Sequence, residues 1–313
     1  MKKYKICKIL LVILAIFLCV AFYELLGICV AYKKQPEVSN TTKKETKNGS
    51  WNECSENTER AVIIEKNPEA LLQRVRLIKN AKKEIILSTF AFQSDESGKL
   101  ILGALHDAAD RGVHIRLLVD GMESWIDMEG NPYFYGLSSH ENVEIKLYNK
   151  ANPLKPWKMM GRMHDKYLIA DGKRYILGGR NTYNYFLGDF PGHKNYDRDV
   201  LVVCDEPEKE NSVNQLLEYF ETIWEQEDSG YFHDNKKLAN RKSVKNAVLE
   251  LQNGYQKYFE ENKERICDTD YTDETFETEK IALVSNPIHT GPKEPVVWYQ
   301  LGELMKNAKE RVK

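Results

Sequence analysis

The sequence predicts an α/β layered sandwich with a mixed, mostly parallel sheet flanked by helices, preceded by one transmembrane helix. Three observations predict it. Residues 9–32 form an apolar run that holds a single charged side chain, Glu24. From residue 61 onward, short β-branched runs alternate with amphipathic helical patterns, which is typical of a layered α/β fold. The 313 residues are enough for roughly two domains of ordinary size.

The apolar run comes first and is long enough to cross a bilayer. A helix rises 1.5 Å per residue, so these 24 residues exceed the ~20 that a membrane span needs. Four lysines precede the run, as in a secretory signal, but the run is longer than the apolar core of about 7–15 residues in such a signal. We therefore predict an uncleaved single-pass anchor at the cell membrane over residues 1–34. A cleaved signal and a buried helix remain alternatives, and the flanking lysines leave the orientation open.

The folded part begins after a polar stretch, residues 35–58, which we interpret as a solvated tether. Strands are predicted at residues 61–65, 84–90, 113–119, 143–148, 163–170, 174–177 and 200–204. Helices are predicted at residues 68–82, 99–111, 212–226 and 243–266. The helix at 99–111 ends at Gly112, a common helix terminator.

Composition excludes several classes of protein. Hydrophobic residues make up 42% of the chain and charged residues 29%, values that argue against disorder. Residues 1–34 hold six lysines and one acid, so residues 35–313 carry a net charge of −7. A broad basic surface is therefore absent, and no nucleic-acid partner is expected. Three of the six cysteines lie within residues 1–34 and the others lack CxxC spacing, so we predict neither a metal site nor a disulfide scaffold.

The densest chemical signal is the segment from residue 163 to residue 171. In an extended strand, side chains two positions apart share a face, so His164 and Lys166 are predicted to point the same way. Asp171 and Gly172 then begin a turn of the hairpin type. Residues 175–177 would run back beside the first strand.

That return would bring Gly178, Gly179 and Asn181 close to His164. An imidazole, an ammonium group, a carboxamide and glycine backbone would then converge on one point. This set suits a phosphoryl group, because Lys166 and Asn181 can offset charge on its oxygens while His164 attacks phosphorus.

The pattern resembles the HKD motif of the phospholipase D superfamily. That motif reads His-x-Lys, four residues, Asp, six residues, Gly-(Gly/Ser)-x-Asn. All of its spacings are matched by His164, Lys166, Asp171, Gly178, Gly179 and Asn181. Further similarity to the cardiolipin synthase branch comes from Phe90-Ala91-Phe92, residues 108–113, residues 118–121, Gly178 to Asn181 and residues 197–200. The resemblance covers residues 61–227, one repeat unit of that family.

The resemblance implies a two-step reaction without metal or other cofactor on the phosphodiester of a membrane phospholipid. His164 would form a phosphohistidine or act as acid and base, with Lys166 and Asn181 as phosphate ligands and Gly178 and Gly179 as substrate-binding residues. A glycerol-type acceptor would give cardiolipin, and water would give phosphatidic acid. Downstream, Asp199 is the best match for a carboxylate that orients the histidine, with Asp197 as the alternative. Asp171 belongs to the catalytic motif, although its place before Gly172 favours a role in fixing the turn.

The chain departs from the two-motif pattern of the family, because no second His-x-Lys sequence occurs in it. Residues 306–312 repeat the helix end at 79–85, by chance or because a second unit starts at 281–313 and is cut short. We expect the phospholipase D-like domain at residues 59–230 and a helical, acidic linker at 231–280. The alternatives for activity are a site shared by a homodimer, a separate second half that carries another HKD motif, a dimeric single-motif nuclease, and an inactive remnant.

Overall fold

The computed structural model describes residues 2–49, 59–204, 206, 211–233 and 235–309. Parts of the predicted tether (residues 50–58) and of the repeated helix end (residues 310–313) lie outside the described residues. The chain divides into two compact units. We call residues 1–50, 151–162 and 284–313 the helical unit, and residues 51–150 and 163–283 the sheet unit.

In chain order, the α-helices of the described residues are α1 Lys2–Tyr32, α2 Asn40–Asn48, α3 Asn67–Asn80, α4 Glu96–Asp110, α5 Gly121–Asp127, α6 Pro132–Ser138, α7 Ser212–Trp224, α8 Lys242–Glu261, α9 Lys263–Cys267 and α10 Val296–Asn307. The strands are β1 Glu59–Ile64, β2 Glu84–Thr89, β3 His114–Asp120, β4 Val143–Tyr148, β5 Lys166–Ala170, β6 Arg174–Gly178, β7 Asp199–Cys204, β8 Ser229–Tyr231 and β9 Phe276–Glu277.

The nine strands form one sheet in the order β8-β4-β3-β2-β5-β6-β7-β1-β9. The prediction of a mixed sheet is confirmed, but the prediction that it is mostly parallel is wrong. In the described residues, β3 runs parallel to β2 and β4, and the other pairings are antiparallel. The reason lies in the connections: a three-residue turn joins β5 to β6, and so short a link only permits an antiparallel return.

Helices cover both faces of the sheet, so the predicted layered α/β architecture is confirmed. Side chains of a strand alternate between faces, and β5 shows the result. Leu168 belongs to the large apolar core that also contains the buried residues of α3 and α4. Tyr167 points the opposite way and meets the ring of Phe220 in α7, with ring centroids 6.5 Å apart.

The segment predicted as a helical linker packs as part of the sheet unit. Its helix α8 buries Val244, Ala247, Leu251 and Tyr255 at helical spacing. Gly103 of α4 permits this contact, because a Cβ atom there would lie 2.7 Å from the backbone oxygen of Leu251. The close approach of the two helices therefore depends on a residue without a side chain.

The helical unit contains the apolar N-terminal helix. Residues 5–32 of α1 are long and apolar enough to cross a membrane, with a mean hydropathy of 2.9 over an 18-residue window. The predicted tether is partly helical: α2 is capped by the Ser39 hydroxyl, which accepts from the Thr42 N–H at 3.1 Å. Glu294 also accepts from the hydroxyl of Thr42. The predicted start of a second repeat at 281–313 stays a prediction.

Candidate active site at one edge of the sheet

The candidate site lies where four strands meet at one edge of the sheet. β5 is antiparallel to β2, so the start of β5 lies beside the end of β2, with Thr89 opposite Lys166. β7 is antiparallel to β6, which places Asp199 opposite Gly178. The strand order therefore brings the motif residues at the strand ends together. Arg74 and Asp199, which also meet there, are 125 positions apart in the sequence.

His164 lies just before β5 and is exposed. Strand β5 begins at Lys166, so His164 lies two residues before the strand that was predicted to hold both side chains. The Met163 N–H, three residues before the strand, is bound to the Asp120 carboxylate at 3.1 Å. His164 instead meets Lys166 through its backbone, where its carbonyl oxygen accepts from the lysine Nζ at 2.6 Å.

Lys166 is a buried lysine with only 6% of its surface exposed. Burial lowers the pKa of its ammonium group to about 8, against the opposing effect of the Asp165 and Asp197 carboxylates. Its Nζ lies 5.2 Å from the centroid of the Phe90 ring, and the same ring lies 4.6 Å from that of His164. The Phe90 ring is thus a common neighbour of the His164 ring and of the Lys166 ammonium group.

Asn181 is buried and contacts the backbone of Ala91, the residue that follows Phe90. Its Oδ1 accepts from the backbone N–H of Ala91 at 3.2 Å, so Nδ2 is the end that can donate. The structure therefore brings His164, Lys166 and Asn181 together around Phe90 and Ala91.

The two motif glycines allow close approach of two carboxylates. A Cβ atom at Gly178 would overlap the carboxylate of Asp199, and one at Gly179 would overlap that of Asp197. Any larger residue would have to push these carboxylates or the β7 backbone away. The glycines at 178 and 179 thus have a structural use, independent of their predicted contact with a substrate.

Asp199, the residue that the sequence favours as the histidine-orienting carboxylate, is bound by two arginines. Its fully buried carboxylate forms ion pairs with Arg74 at 2.9 Å and with Arg180 at 3.3 Å. Both arginines are buried as well. Asp197, the predicted alternative, is half-buried beside Gly179, and its charge acts on Lys166. The orienting role stays a prediction, for which Asp197 is the carboxylate of the two that, within the described ranges, is not paired with buried arginines.

Asp171 lies at the opposite end of β5 from the cluster. Its carboxylate accepts from the backbone N–H groups of Lys82, Lys83 and Glu84 at 2.7–3.1 Å, and its own φ is +54°. It holds the turn that enters β6 against the start of β2. The structure thus corrects its place among the catalytic residues and supports the turn-fixing role.

Two positioning residues were missed from the sequence. Asp120 ends β3, caps α5 through the Met122 N–H at 3.0 Å, and holds Met163 just before the motif. An aspartate between a buried strand and a helix is a recognisable cap signal. Arg74 gives no such signal, because it looks like any polar residue of an amphipathic helix.

No metal centre is found in the described ranges, where no group of three or more His, Cys, Asp and Glu residues could hold an ion. The candidate site instead offers one imidazole, one ammonium group and one amide donor. These groups can attack and bind a phosphoryl group.

Residues 74–224 match the family model described as cardiolipin synthase, PLD-like domain. This domain belongs to the phospholipase D superfamily. The predicted family is thereby confirmed.

Several bacterial proteins match this chain over part of their length. An uncharacterized protein of Helicobacter pylori strain J99 is 30% identical over 212 residues, which cover 63% of this chain and 39% of the relative. Cardiolipin synthase C of Escherichia coli K12 is 29% identical over 171 residues, which cover 50% of this chain and 34% of the relative. The chain thus spans about two fifths or less of the length of these relatives. The solved structure of Nuc, a phospholipase D family member from Salmonella typhimurium, is 19% identical with a TM-score of 0.40, covering 56% of this chain and 99% of Nuc.

Proposed function

We propose that the phospholipase D-like domain cleaves the phosphodiester of a membrane phospholipid and transfers the phosphatidyl group to an alcohol or to water. The observation that carries the proposal is the meeting of His164 and Lys166 at the Phe90 ring, with Asn181 bound to the backbone of the next residue, Ala91. The similarity to cardiolipin synthase supports a lipid as the substrate.

In the proposed reaction, a nitrogen of His164 attacks phosphorus. The N–P bond forms as the P–O bond to the departing alkoxide breaks, and a second histidine gives that alkoxide its proton. A glycerol-type hydroxyl or water then loses its proton to the second histidine and displaces His164 from phosphorus. The Lys166 ammonium and the Asn181 amide stabilise the charge on the phosphoryl oxygens in both steps, and Asp197 orients the imidazole.

The second histidine must come from another motif, because this chain carries one His-x-Lys sequence. A second copy of the chain in a homodimer, or a separate protein with its own HKD motif, would supply it. We further propose that α1 is a single-pass anchor in the cell membrane. This anchor would confine the domain to the surface that holds its substrate.

The proposal is tested with the full chain reconstituted in vesicles that contain fluorescent phosphatidylglycerol, with labelled single-stranded DNA assayed in parallel. We expect turnover of the lipid to cardiolipin or phosphatidic acid and no cleavage of DNA. His164→Gln controls for contaminating enzymes. DNA cleavage without lipid turnover would establish the nuclease alternative, and no turnover of either substrate by the dimeric chain would indicate an inactive remnant.

Activity is expected to fall as the pH rises through about 8. Lys166 binds the phosphoryl oxygens only while protonated, and burial lowers its pKa to about 8 in the free protein. Below that pH the ammonium is present, and above it the charge is lost. The measurement is kcat/KM for the phosphodiester between pH 6.5 and 10.

The matched variant for this pH profile is Lys166→Arg, since a guanidinium stays charged throughout that range. Whatever activity the variant retains should show no alkaline decline near pH 8. If the activity of the wild-type chain and that of Lys166→Arg declined at the same pH, the decline would be due to the titration of a group other than Lys166. If the variant is too weak to assay, binding of inorganic phosphate over the same pH range gives the same comparison.

A further inference from the structure

We propose that the loop at residues 151–162, which leads into His164, inserts its apolar side chains into the surface of an anionic phospholipid bilayer. The inference rests on the proposed membrane span of α1. It adds a second membrane contact to the anchor, located next to the catalytic motif.

The 151–162 loop belongs to the helical unit and contacts the C-terminal third of α1. The hydroxyl of Tyr23 donates to the backbone oxygen of Leu154 at 3.0 Å. Gly27 packs directly on the ring of Pro156, where a Cβ atom would come within 2.5 Å of the proline Cγ. Described side chains of α1 up to residue 23 are exposed, whereas a stripe at helical spacing is half-buried from Glu24 onward.

These contacts set the depth of the loop relative to a bilayer. A span needs about 20 residues, and the apolar helix runs from Lys5 to Tyr32. Any 20-residue span within those bounds ends at Glu24 or later. Tyr23 therefore lies within the span, and Gly27 lies within it or at most three residues, about 4.5 Å of helix, beyond its end. The loop that touches both residues is therefore at or close to the lipid surface.

The composition of the loop fits that position. Leu154, Trp157 and Met160 are 77%, 46% and 57% exposed, an arrangement that costs free energy in water. The loop has no acidic residue and carries three basic ones, Lys155, Lys158 and Arg162. Tryptophan and basic residues among apolar side chains are typical of segments that bind the interface of anionic membranes.

The apolar side chains are presented by a folded segment. Successive turns bond the Lys155 N–H to the Asn152 oxygen at 2.9 Å and the Met159 N–H to the Pro156 oxygen at 3.1 Å. Gly161 closes the loop against the backbone of Thr290. This order lowers the entropic cost of insertion, since the loop need not fold at the membrane.

Insertion of the loop has a direct consequence for the substrate. His164 follows Arg162 by two residues, so at most about 7 Å of extended chain separates their Cα atoms. A loop held at the depth of the head groups therefore keeps the catalytic histidine within reach of lipid phosphates.

The test measures tryptophan fluorescence of the full chain in vesicles of phosphatidylglycerol and phosphatidylcholine, with bromine atoms high on the acyl chains as the quencher. We expect Trp157→Phe to reduce the quenched fraction of the emission. The matched control is Trp125→Phe in α5, a position with 68% exposure in the sheet unit, which should leave the quenched fraction unchanged.

An unchanged quenched fraction in Trp157→Phe would overturn the proposed insertion. So would a Trp157 that becomes quenchable only after a dimer of the chain is dissociated, since a second copy would then cover the loop. Lipid turnover is assayed in the same vesicles. Quenching at Trp157 without turnover would contradict the proposed function alone, whereas turnover without quenching would contradict the insertion alone.

Discussion

Replacing His164 with alanine is expected to lower phosphatidyl transfer by about three orders of magnitude or more, because it removes the nitrogen that forms the covalent intermediate. The same change should abolish a phosphoryl adduct that is stable in base and labile in acid. The measurement is mass spectrometry of the protein quenched in base during turnover of phosphatidylglycerol.

The matched control for this experiment is His193→Ala. His193 is exposed in the same unit, and its ring contacts Tyr185 at a centroid distance of 5.3 Å. It lies outside the HKD motif and should retain both turnover and adduct. An adduct that persists in His164→Ala would show that another residue is the nucleophile, and this would contradict the proposed mechanism.

The second large effect concerns the two carboxylates that the motif glycines approach. Asp199→Ala is expected to destabilise the protein by about 3–5 kcal/mol, because it would leave the buried guanidinium groups of Arg74 and Arg180 without their counter-charge. Urea unfolding followed by circular dichroism gives the free energy.

Asp197→Ala should affect activity more than stability, the reverse of the effect expected for Asp199→Ala. Its carboxylate is half-buried, so we expect a small loss of stability and a decrease in kcat as the histidine loses its orientation. Asp197→Asn, which keeps a hydrogen-bond acceptor, should recover part of that loss. A stable, slow Asp199→Ala beside a fully active Asp197→Ala would return the orienting role to Asp199.

Local patterns predicted most of the strands, and their success has a physical basis. Residues 143–148 were predicted as a strand and form β4 with the same bounds, because alternating apolar side chains match a buried face. Residues 163–170 were predicted as one strand, yet β5 starts at Lys166. The difference comes from Asp120, whose carboxylate takes the Met163 N–H that a longer strand would need for pairing.

The sequence by itself determined the family, the motif and its spacing, and the helix long enough for a bilayer. These depend on residue identity and on intervals of a few residues, which local geometry constrains. Only the tertiary structure decided that Asp199 forms an ion pair with Arg74, that Asp171 holds a turn, and that burial lowers the pKa of Lys166 to about 8. Each of these features depends on a binding partner or on surrounding residues from a distant part of the chain. Spacing along the sequence carries no information about which carboxylate a buried arginine will contact.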